Sequence, residues 1–525
     1  MATLQIPDHV IRHIASREGV CTRPVLRRVT DRVTGESVVR ALDCGSTLES
    51  RCPACAAKAR RLRMSQCTEG WHLTEEPQPP LATADVEEAS ESDEAHDGTD
   101  GLYADQLDQD AEDGAGSRRV RSTRRLDGMP DLPQQEIANR TVGTVFTAAD
   151  GKAYRPSMFV TLTLDSYGRI RPGQGVPARP ERYDYRRAAL DALHFPKLMD
   201  RWFTNLRRAA GYRVQYFGAI EAQMRLAPHL HVALRGAIPR ATVKAVTQAT
   251  YLALWWPQME QPVYVERTPV WADGQYRDPD TGWPLPTWEQ ALAAVDEDPT
   301  AEPAHVVTFG RQVDVKGILA GTKDSDRAVR YLTKYLTKSV ADTYAEDDTP
   351  NPAYEAHIDR LHGHLRWLPC SPGCANWLRY GTQPKDPGPG LVPGHCASKA
   401  HDREHLGLGG RRVLVSRGWS GKTLTQHRAD RRAVVEEVLK AAGIEPETAN
   451  RMAADTLTDD GRPRFVWEEV PVTNADWQAV IIDSLREHRR RRDQYDQARQ
   501  ALTTGNDPPV DNRSAVNQQP ATGAA

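Results

Sequence analysis

Two short segments near the middle of the chain alternate apolar and polar side chains with the two-residue period of a β-strand. Residues 159–164 read Phe-Val-Thr-Leu-Thr-Leu, which places Val160, Leu162 and Leu164 on one face and both threonines on the other. Residues 228–234 read Pro-His-Leu-His-Val-Ala-Leu, with the two histidines on one face. Each strand therefore buries one face and leaves the other for polar side chains.

Segments with regular periodicity surround these strands and predict the fold class. We expect an α+β fold with an antiparallel sheet and helices on one face, together with small zinc-binding modules and a helical C-terminal region. The further elements predicted in this part of the chain are a helix over 186–210, a strand over 214–223, a helix over 242–255, a strand over 306–313 and a helix over 324–341.

The histidine strand and the strand before it contain a candidate metal site. If Met224 to Pro228 form the hairpin turn, Glu221 lies opposite His231 and Gln223 lies opposite His229. Two imidazoles and one carboxylate, with positions left for water and phosphate, suit Mg²⁺ or Mn²⁺ better than a closed zinc site. The alternative is that the histidines are a hydrogen-bonded structural pair.

The helix predicted over 324–341 contains a candidate nucleophile. Tyr331 and Tyr335 share one face, and Lys334 and Lys338 share the adjacent face. A phenol with a pKa near 10 is a poor nucleophile unless a metal polarises the phosphate and cations stabilise the developing charge. Attack on a phosphodiester would give a covalent phosphotyrosine. This bond keeps the energy of the broken phosphodiester, so the nucleic-acid strand can be rejoined later. Alternatively, the tyrosines only pack at helical spacing.

Two groups of cysteine and histidine residues have spacings typical of structural zinc sites. The first is Cys21, Cys44, Cys52 and Cys55, with Cys67 and His72 as rival ligands. The second is Cys370, Cys374, Cys396, His401 and His405, one ligand more than tetrahedral zinc requires. Buried thiols and surface histidines are the alternative for the second group.

Two other motifs are predicted to have no catalytic role. The segment from Ser420 to Thr423 resembles the end of a phosphate-binding loop, but Ser416 occupies the position of the first glycine. We therefore expect no nucleotide motor. His362 and His364 repeat the His-x-His spacing around Gly363, and we expect this segment to be a loop.

Charge is distributed unevenly along the chain. Fifteen acidic residues and no lysine or arginine lie between Glu75 and Asp113, so the rest of the chain is basic although the whole has a formal charge of -3. A basic body is typical of a protein that binds nucleic acid. Without a signal peptide or membrane-spanning run, we expect a cytoplasmic protein that makes no membrane contact.

Composition and periodicity predict six regions. These are a zinc-binding module (1–73), an acidic and then basic disordered linker (74–135), a catalytic domain with the main sheet (136–345), a second Cys/His zinc-binding and basic region (346–425), a helical region (426–503) and a disordered tail (504–525).

The order of these motifs resembles that of a known family. The strand over 159–164, Pro228-His-Leu-His-Val232, and the Tyr-x-x-Lys-Tyr-x-x-Lys of residues 331–338 are similar to the three motifs of HUH endonucleases of the rolling-circle replication class. With the segments at 370–381 and 411–415, the chain resembles more closely the RepSA-type replication initiators of actinomycete plasmids and integrative elements.

This resemblance implies a function and roles for the site residues. It implies a metal-dependent DNA endonuclease and strand transferase with His229 and His231 as metal ligands and Glu221 as a third. The single-tyrosine form of the last motif ranks Tyr335 above Tyr331 as the nucleophile, whereas the paired form resembles phage initiators that use both. The implied partners are single-stranded or extruded origin DNA, a host helicase and a polymerase.

Two other functions are compatible with the sequence. A conjugative relaxase or a single-strand transposase would use the same motifs at a different DNA site. A zinc-dependent DNA-binding regulator would have the same histidines and tyrosines in purely structural roles.

Overall fold

A computed structural model describes most of the chain. The described residues are 7–71, 73, 126–141, 146–147, 151, 153–154, 156–319, 322–334, 336, 351–409, 412–443, 457–458, 460–470 and 474–505. They belong to two compact units, one from 1–62 with 423–525 and one from 63–422. The predicted region boundaries remain predictions, and the acidic run lies outside the described residues. No described helix has both the length and the apolar character needed to cross a membrane.

The helices alternate with strands along the chain. The helices are α1 (Asp8–Arg17), α2 (Pro53–Trp71), α3 (Tyr185–Ala210), α4 (Arg240–Ala249), α5 (Trp288–Glu297), α6 (Lys323–Lys334), α7 (Pro352–Leu365), α8 (Leu424–Ala441) and α9 (Asn474–Gly505). Short 3₁₀ helices occupy Pro180–Arg182, Ala375–Tyr380 and Lys399–His401.

The strands form one large sheet and smaller ones. They are β1 (Val25–Asp31), β2 (Ser37–Leu42), β3 (Phe146–Thr147), β4 (Ala153–Tyr154), β5 (Pro156–Leu164), β6 (Tyr216–Ala222), β7 (Pro228–Arg235), β8 (Tyr251–Leu254), β9 (Val270–Ala272), β10 (Gln275–Arg277), β11 (His305–Leu319), β12 (Val413–Val415) and β13 (Phe465–Glu469).

The large sheet belongs to the unit of residues 63–422. Its described strands lie in the order β12-β6-β7-β5-β11-β8, and each neighbouring pair is antiparallel. β11 pairs with β8 through residues 305–308 and with β5 through residues 309–319. A bulge between Phe309 and Val313 shifts its register against β5. The α+β fold with an antiparallel sheet is thus confirmed.

One face of this sheet is the main hydrophobic core. Val160, Leu162 and Leu164 are buried there, as their alternation predicts, beside leucines of β7. The long helix α3 covers this face. Asp184 caps its start by accepting a hydrogen bond from the Arg187 backbone N–H (2.9 Å), and Gly211 ends it with a left-handed φ of 70°. The polar face of the sheet is left for the candidate site.

Two predictions about local structure are wrong. The helix predicted over 242–255 ends at Ala249, and Tyr251–Leu254 is a strand paired with β11, because its side chains alternate in burial and Thr250 leaves the helix with extended backbone angles. The segment His362 to His364, predicted as a loop, lies in α7. Gly363 is tolerated there because a single glycine weakens a helix only slightly.

The unit of residues 1–62 and 423–525 combines both ends of the chain. β1 is the central strand of a small antiparallel sheet between β2 and β13. Ile11, Ala15 and Val20 bury their side chains against Ile481 of α9. This C-terminal helix continues past the arginine run at 489–492 to Gly505. The helical character predicted for this region is confirmed.

Candidate active site

Three central strands bring the predicted metal ligands together on the polar face of the sheet. Glu221 of β6 pairs with His229 of β7, and His229 pairs with Thr163 of β5. In the next row, His231 lies between Ala219 and Thr161. The threonine face of β5 and the histidine face of β7 are therefore the same face of the sheet.

The register of this hairpin differs from the predicted one by two residues. Glu221 was predicted opposite His231, but it lies opposite His229, and Gln223 lies in the turn. The turn is tight because the Gln223 backbone N–H donates to Ala227 (2.8 Å) and the Leu226 N–H donates to Gln223 (2.7 Å). Leu226 adopts a left-handed φ of 61°. This shift keeps Glu221 on the histidine face because side chains alternate with a period of two.

The carboxylate and the two imidazoles form a compact donor set. Their ligand atoms lie within 4.8 Å of one another, and the Nε2 atoms of His229 and His231 are 2.7 Å apart. All three side chains are buried. The Oε1 atom of Glu221 has no hydrogen-bond partner among the described residues. A buried, unpartnered carboxylate oxygen and two imidazole nitrogens this close together could hold a metal ion.

Thr161 orients one of these imidazoles. Its Oγ1 lies 2.9 Å from Nδ1 of His231. When Nδ1–H donates to this hydroxyl, the lone pair of Nε2 is directed toward His229 and Glu221. Such a hydrogen bond to the far nitrogen is typical of metal-binding histidines. The Nδ1 atom of His229 has no corresponding partner in the described part of the chain.

Burial determines the protonation of the three groups. It raises the pKa of Glu221 to about 7, against the opposing effect of the Arg412 and Lys334 charges. It lowers the pKa of His229 to about 3 and that of His231 to about 4. Neutral imidazoles are the form that binds metal. A cation bound here would offset the cost of the buried carboxylate charge.

Helix α6 places one of the predicted tyrosines beside the histidines. Val329 and Leu332 pack against Phe217, Ala219 and Ala233, on the same face as the histidines. The helix begins at Lys323, one residue earlier than predicted, and the Thr322 hydroxyl accepts a hydrogen bond from the Ser325 N–H (3.4 Å). α6 is thereby fixed over the polar face of the sheet.

The Tyr331 hydroxyl reaches the donor set. It lies 3.2 Å from Nε2 of His231, and its ring contacts the rings of His231 and Phe159 edge to face. The Tyr331 side chain is 42% exposed, so substrate can approach it. Lys334 ends α6 and is close enough to lower the pKa of Glu221. Tyr335 and Lys338 lie outside the described residues.

The four cysteines of the first predicted zinc site converge in the unit of residues 1–62 and 423–525. Their Sγ atoms lie within 4.8 Å of one another, with 3.7 Å between Cys44 and Cys55 and 3.8 Å between Cys21 and Cys52. Thiolates around a tetrahedral zinc ion are about 3.8 Å apart. The rival ligand Cys67 lies in a different hydrophobic cluster, and His72 is outside the described residues. This cluster could hold a structural zinc ion.

The second predicted zinc group converges in part. Cys370, Cys374, Cys396 and His401 place their ligand atoms within 4.8 Å of one another, in the unit of residues 63–422. The fifth candidate, His405, is also buried and is only four residues from His401 in the sequence, but it is not part of this group.

The chain as a whole matches one known protein family. Residues 8–506 match RepSA, described as the replication initiator protein of pSAM2. The chain belongs to the RepSA family. Its members are plasmid replication initiators, which agrees with the resemblance in the sequence motifs. Neither a curated protein nor a solved structure matches the chain.

Sequence reasoning missed two residues at the site of this RepSA-family protein. Thr161 was assigned only to the polar face of its strand, because the pairing of β5 with β7 joins segments about 70 residues apart. Arg412 is buried beside β6, where its Nε donates to the Ile220 carbonyl (3.3 Å) and its charge lowers the pKa of Glu221. The basic character of residues 411 and 412, just before an apolar strand, is the only signal for it in the sequence.

Proposed function

We propose that this replication initiator nicks and rejoins DNA at a replication origin by tyrosine transesterification. The observation that carries the proposal is the position of the Tyr331 hydroxyl, 3.2 Å from a histidine that shares a buried donor set with His229 and Glu221. A candidate nucleophile, a candidate cation site and a lysine meet on the polar face of the central strands. This combination is what phosphodiester transfer to a phenol needs.

Each group in this arrangement has a defined part in the reaction. The phenol loses its proton to solvent and its oxygen bonds to phosphorus. The bond from phosphorus to the 3'-oxygen breaks, and that oxygen takes up a proton from solvent. Lys334 stabilises the phenolate and the charge on phosphate. Glu221, His229 and His231 would hold Mg²⁺ or Mn²⁺, which would polarise the phosphate when bound. The products are a 5'-phosphotyrosine and a free 3'-hydroxyl.

Two tyrosines remain candidates for the nucleophile. The single-tyrosine form of the last motif ranks Tyr335 first. The position of the Tyr331 hydroxyl beside His231 supports a direct role for Tyr331 as well. We propose that the pair supplies the nucleophile, with Tyr335 as the primary one and Tyr331 either as a second nucleophile or as a neighbour that orients His231.

The remaining partners follow from this chemistry. The free 3'-hydroxyl would prime a host polymerase, and a host helicase would separate the strands, since no phosphate-binding loop of a nucleotide motor is present in the sequence. The four cysteines of the first cluster would bind a structural zinc ion that stabilises their module.

A nicking assay on supercoiled origin plasmid with Mn²⁺ tests the proposal. Tyr331→Phe with Tyr335→Phe should abolish nicking, and mass spectrometry of the trapped DNA adduct should name the modified tyrosine. Tyr264→Phe is the matched control. The Tyr264 hydroxyl donates to Asp278, and its ring packs against a hydrophobic cluster that contains none of the candidate site residues. Unchanged nicking in the double variant would contradict the mechanism.

A second pair of variants distinguishes the proposed nicking enzyme from the alternative function of a DNA-binding regulator. His229→Ala and His231→Ala should abolish cleavage and leave DNA binding largely intact, because their proposed role is to hold the cation and not the DNA. Equal loss of binding and cleavage would instead support the regulator. Binding is measured by fluorescence anisotropy with an origin oligonucleotide.

A further inference from the structure

We propose that Cys370, Cys374, Cys396 and His401 bind a structural zinc ion, and that His405 is not a ligand. This proposal does not depend on the nicking mechanism. The sequence alone offers five ligands for a four-coordinate ion, and only the tertiary structure selects among the histidines.

The separations between ligand atoms are those of a tetrahedral site. The Sγ atoms of Cys370 and Cys396 are 4.0 Å apart, and Sγ of Cys374 lies 3.5 Å from Nε2 of His401. Zinc bonds of about 2.3 Å to sulfur and about 2.0 Å to nitrogen require about 3.8 Å between sulfurs and about 3.5 Å between sulfur and nitrogen. Four donors around one point, three of them thiols, leave no open position for substrate. A closed site is typical of structural zinc.

The orientation of His401 supports its role as a ligand. Its Nδ1–H donates to the Leu365 carbonyl at the end of α7 (2.6 Å), so that the lone pair of Nε2, 3.5 Å from Sγ of Cys374, is available for the ion. This hydrogen bond fixes the ring and its tautomer. His401 also ends a short 3₁₀ helix that Ser398 caps through the Ala400 N–H (3.3 Å). The hydrogen bond to Leu365 therefore fixes the imidazole, and the capped 3₁₀ helix fixes the backbone that carries it.

The cysteine turn is anchored in the hydrophobic core independently of any ion. Indole N–H of Trp377 donates to the Ser371 carbonyl (2.9 Å), inside the turn from Cys370 to Cys374. The Trp377 ring is fully buried against Trp256 and Trp288. Two thiols are thus presented at a fixed spacing.

A half-buried lysine lies within electrostatic reach of Cys370, one of the four proposed ligands. Three thiolates, one neutral imidazole and Zn²⁺ have a net charge of minus one. Lys197 of α3 lies over the Trp256 ring, with Nζ 5.3 Å from its centroid. Burial lowers the pKa of Lys197, and the charge of Cys370 opposes that effect. A positive charge at this position would favour an anionic zinc centre over a set of neutral thiols.

The site would fix a segment that has little regular structure. Among the described residues of 366–409, the only helices are the two short 3₁₀ helices. Zinc would join the Cys374 turn, the Cys396 loop and the 3₁₀ helix of His401 in one cross-link, and the His401 hydrogen bond to Leu365 connects that cross-link to the end of α7. Because metal binding is linked to folding, loss of the ion should loosen this segment and not the strands of the sheet.

Zinc content of the full chain, purified without chelator, tests the proposal. Plasma mass spectrometry should find one zinc ion fewer per chain in Cys374→Ser and in His401→Ala than in the wild-type chain. The matched control, His405→Ala, should keep the wild-type content. Hydrogen exchange should increase within 366–409 in the two depleted variants. Wild-type zinc content in His401→Ala, or depletion in His405→Ala, would overturn the assignment.

A spectroscopic variant covers the case in which the depleted variants do not fold. His401→Cys should keep the metal, and Co²⁺ loaded into the full chain should show a changed d–d absorption relative to wild type, because three sulfurs and one nitrogen become four sulfurs. An unchanged cobalt spectrum would overturn the role of His401. Thiol titration that found a Cys370–Cys396 disulfide in the native chain would also overturn the proposal.

Discussion

At the scale of single residues, the threonines on the polar face of β5 determine which histidine of β7 has a hydrogen bond to its Nδ1 atom. Thr161 and Thr163 are chemically identical neighbours on that face, each opposite one histidine. Only Thr161 bonds to its histidine, since the Thr163 hydroxyl donates to the Gln312 carbonyl (3.3 Å) instead. The two threonines therefore form a matched pair for testing the role of His231.

We expect Thr161→Val to weaken metal binding about 10-fold to 100-fold, because the His231 ring and its tautomer lose their hydrogen bond. Thr163→Val is the control and should bind metal as the wild type does. Mn²⁺ titration of the full chain, followed by electron paramagnetic resonance, measures both affinities. Equal affinities in the two variants would show that Thr161 does not orient the ligand.

At the scale of elements, the packing of α7 on α3 contains a buried titratable group. His357 of α7 is fully buried, and its Nδ1 lies 2.8 Å from the Tyr185 hydroxyl of α3. The rings of Tyr183, Tyr185 and Tyr354 surround it. Burial, with a smaller contribution from the Arg360 charge, lowers the pKa of His357 to about 4. This helix pair therefore requires a neutral imidazole.

The low pKa of His357 predicts acid sensitivity of this helix pair. Well above pH 6.5 the imidazole is neutral in both the folded and unfolded states. As the pH falls from about 6.5 to about 4, only the unfolded state takes up the proton, so the free energy of unfolding decreases. The pKa difference corresponds to at most about 3 kcal/mol.

Urea denaturation of the full chain at several pH values tests this effect. His357→Gln should show a smaller decrease in the free energy of unfolding between about pH 6.5 and about pH 4 than the wild type. His13→Gln, in which an exposed histidine of α1 is replaced, should keep the wild-type decrease. The same decrease in all three proteins would show that His357 does not control acid stability.

At the scale of the whole molecule, the two ends of the chain complete one compact unit. Arg464, just before β13, makes two short hydrogen bonds to the Asp31 carboxylate of β1, with Nε and Nη2 as donors (3.0 and 2.7 Å). The side chain of Ile481 in α9 fills the space between Ile11, Ala15 and Val20. Removal of C-terminal contacts should therefore destabilise the N-terminal elements.

Ile481→Ala tests this joint folding. A buried isoleucine cut back to alanine costs about 2–5 kcal/mol, and the loss should affect residues 7–62 as well as α9. Val434→Ala in α8 is the control, because that side chain is 45% exposed. Hydrogen exchange by mass spectrometry should show faster exchange in both chain ends for Ile481→Ala alone. Faster exchange limited to α9 would contradict joint folding.

Local patterns in the sequence identified β5, β6, β7 and β11 of the sheet and the chemistry of the candidate site, whereas β8 was predicted as helix and β12 was not predicted. Alternation at 159–164 identified a half-buried strand, and the residue types of Glu221, His229 and His231 identified the donor set. These features depend only on neighbouring residues, because strand faces and helix faces repeat with fixed periods. Cysteine spacing likewise identified the first four-thiol cluster.

Only the tertiary structure decided the features that depend on distant pairing. The turn at 223–227 set the register of the hairpin between β6 and β7. The pairing of β5 with β7 joins distant segments, and the pattern within β5 does not predict it. The selection of His401 over His405 depends on the end of α7, more than 30 residues earlier. Such choices depend on which distant segments are packed together, and periodicity within one segment contains no information about them.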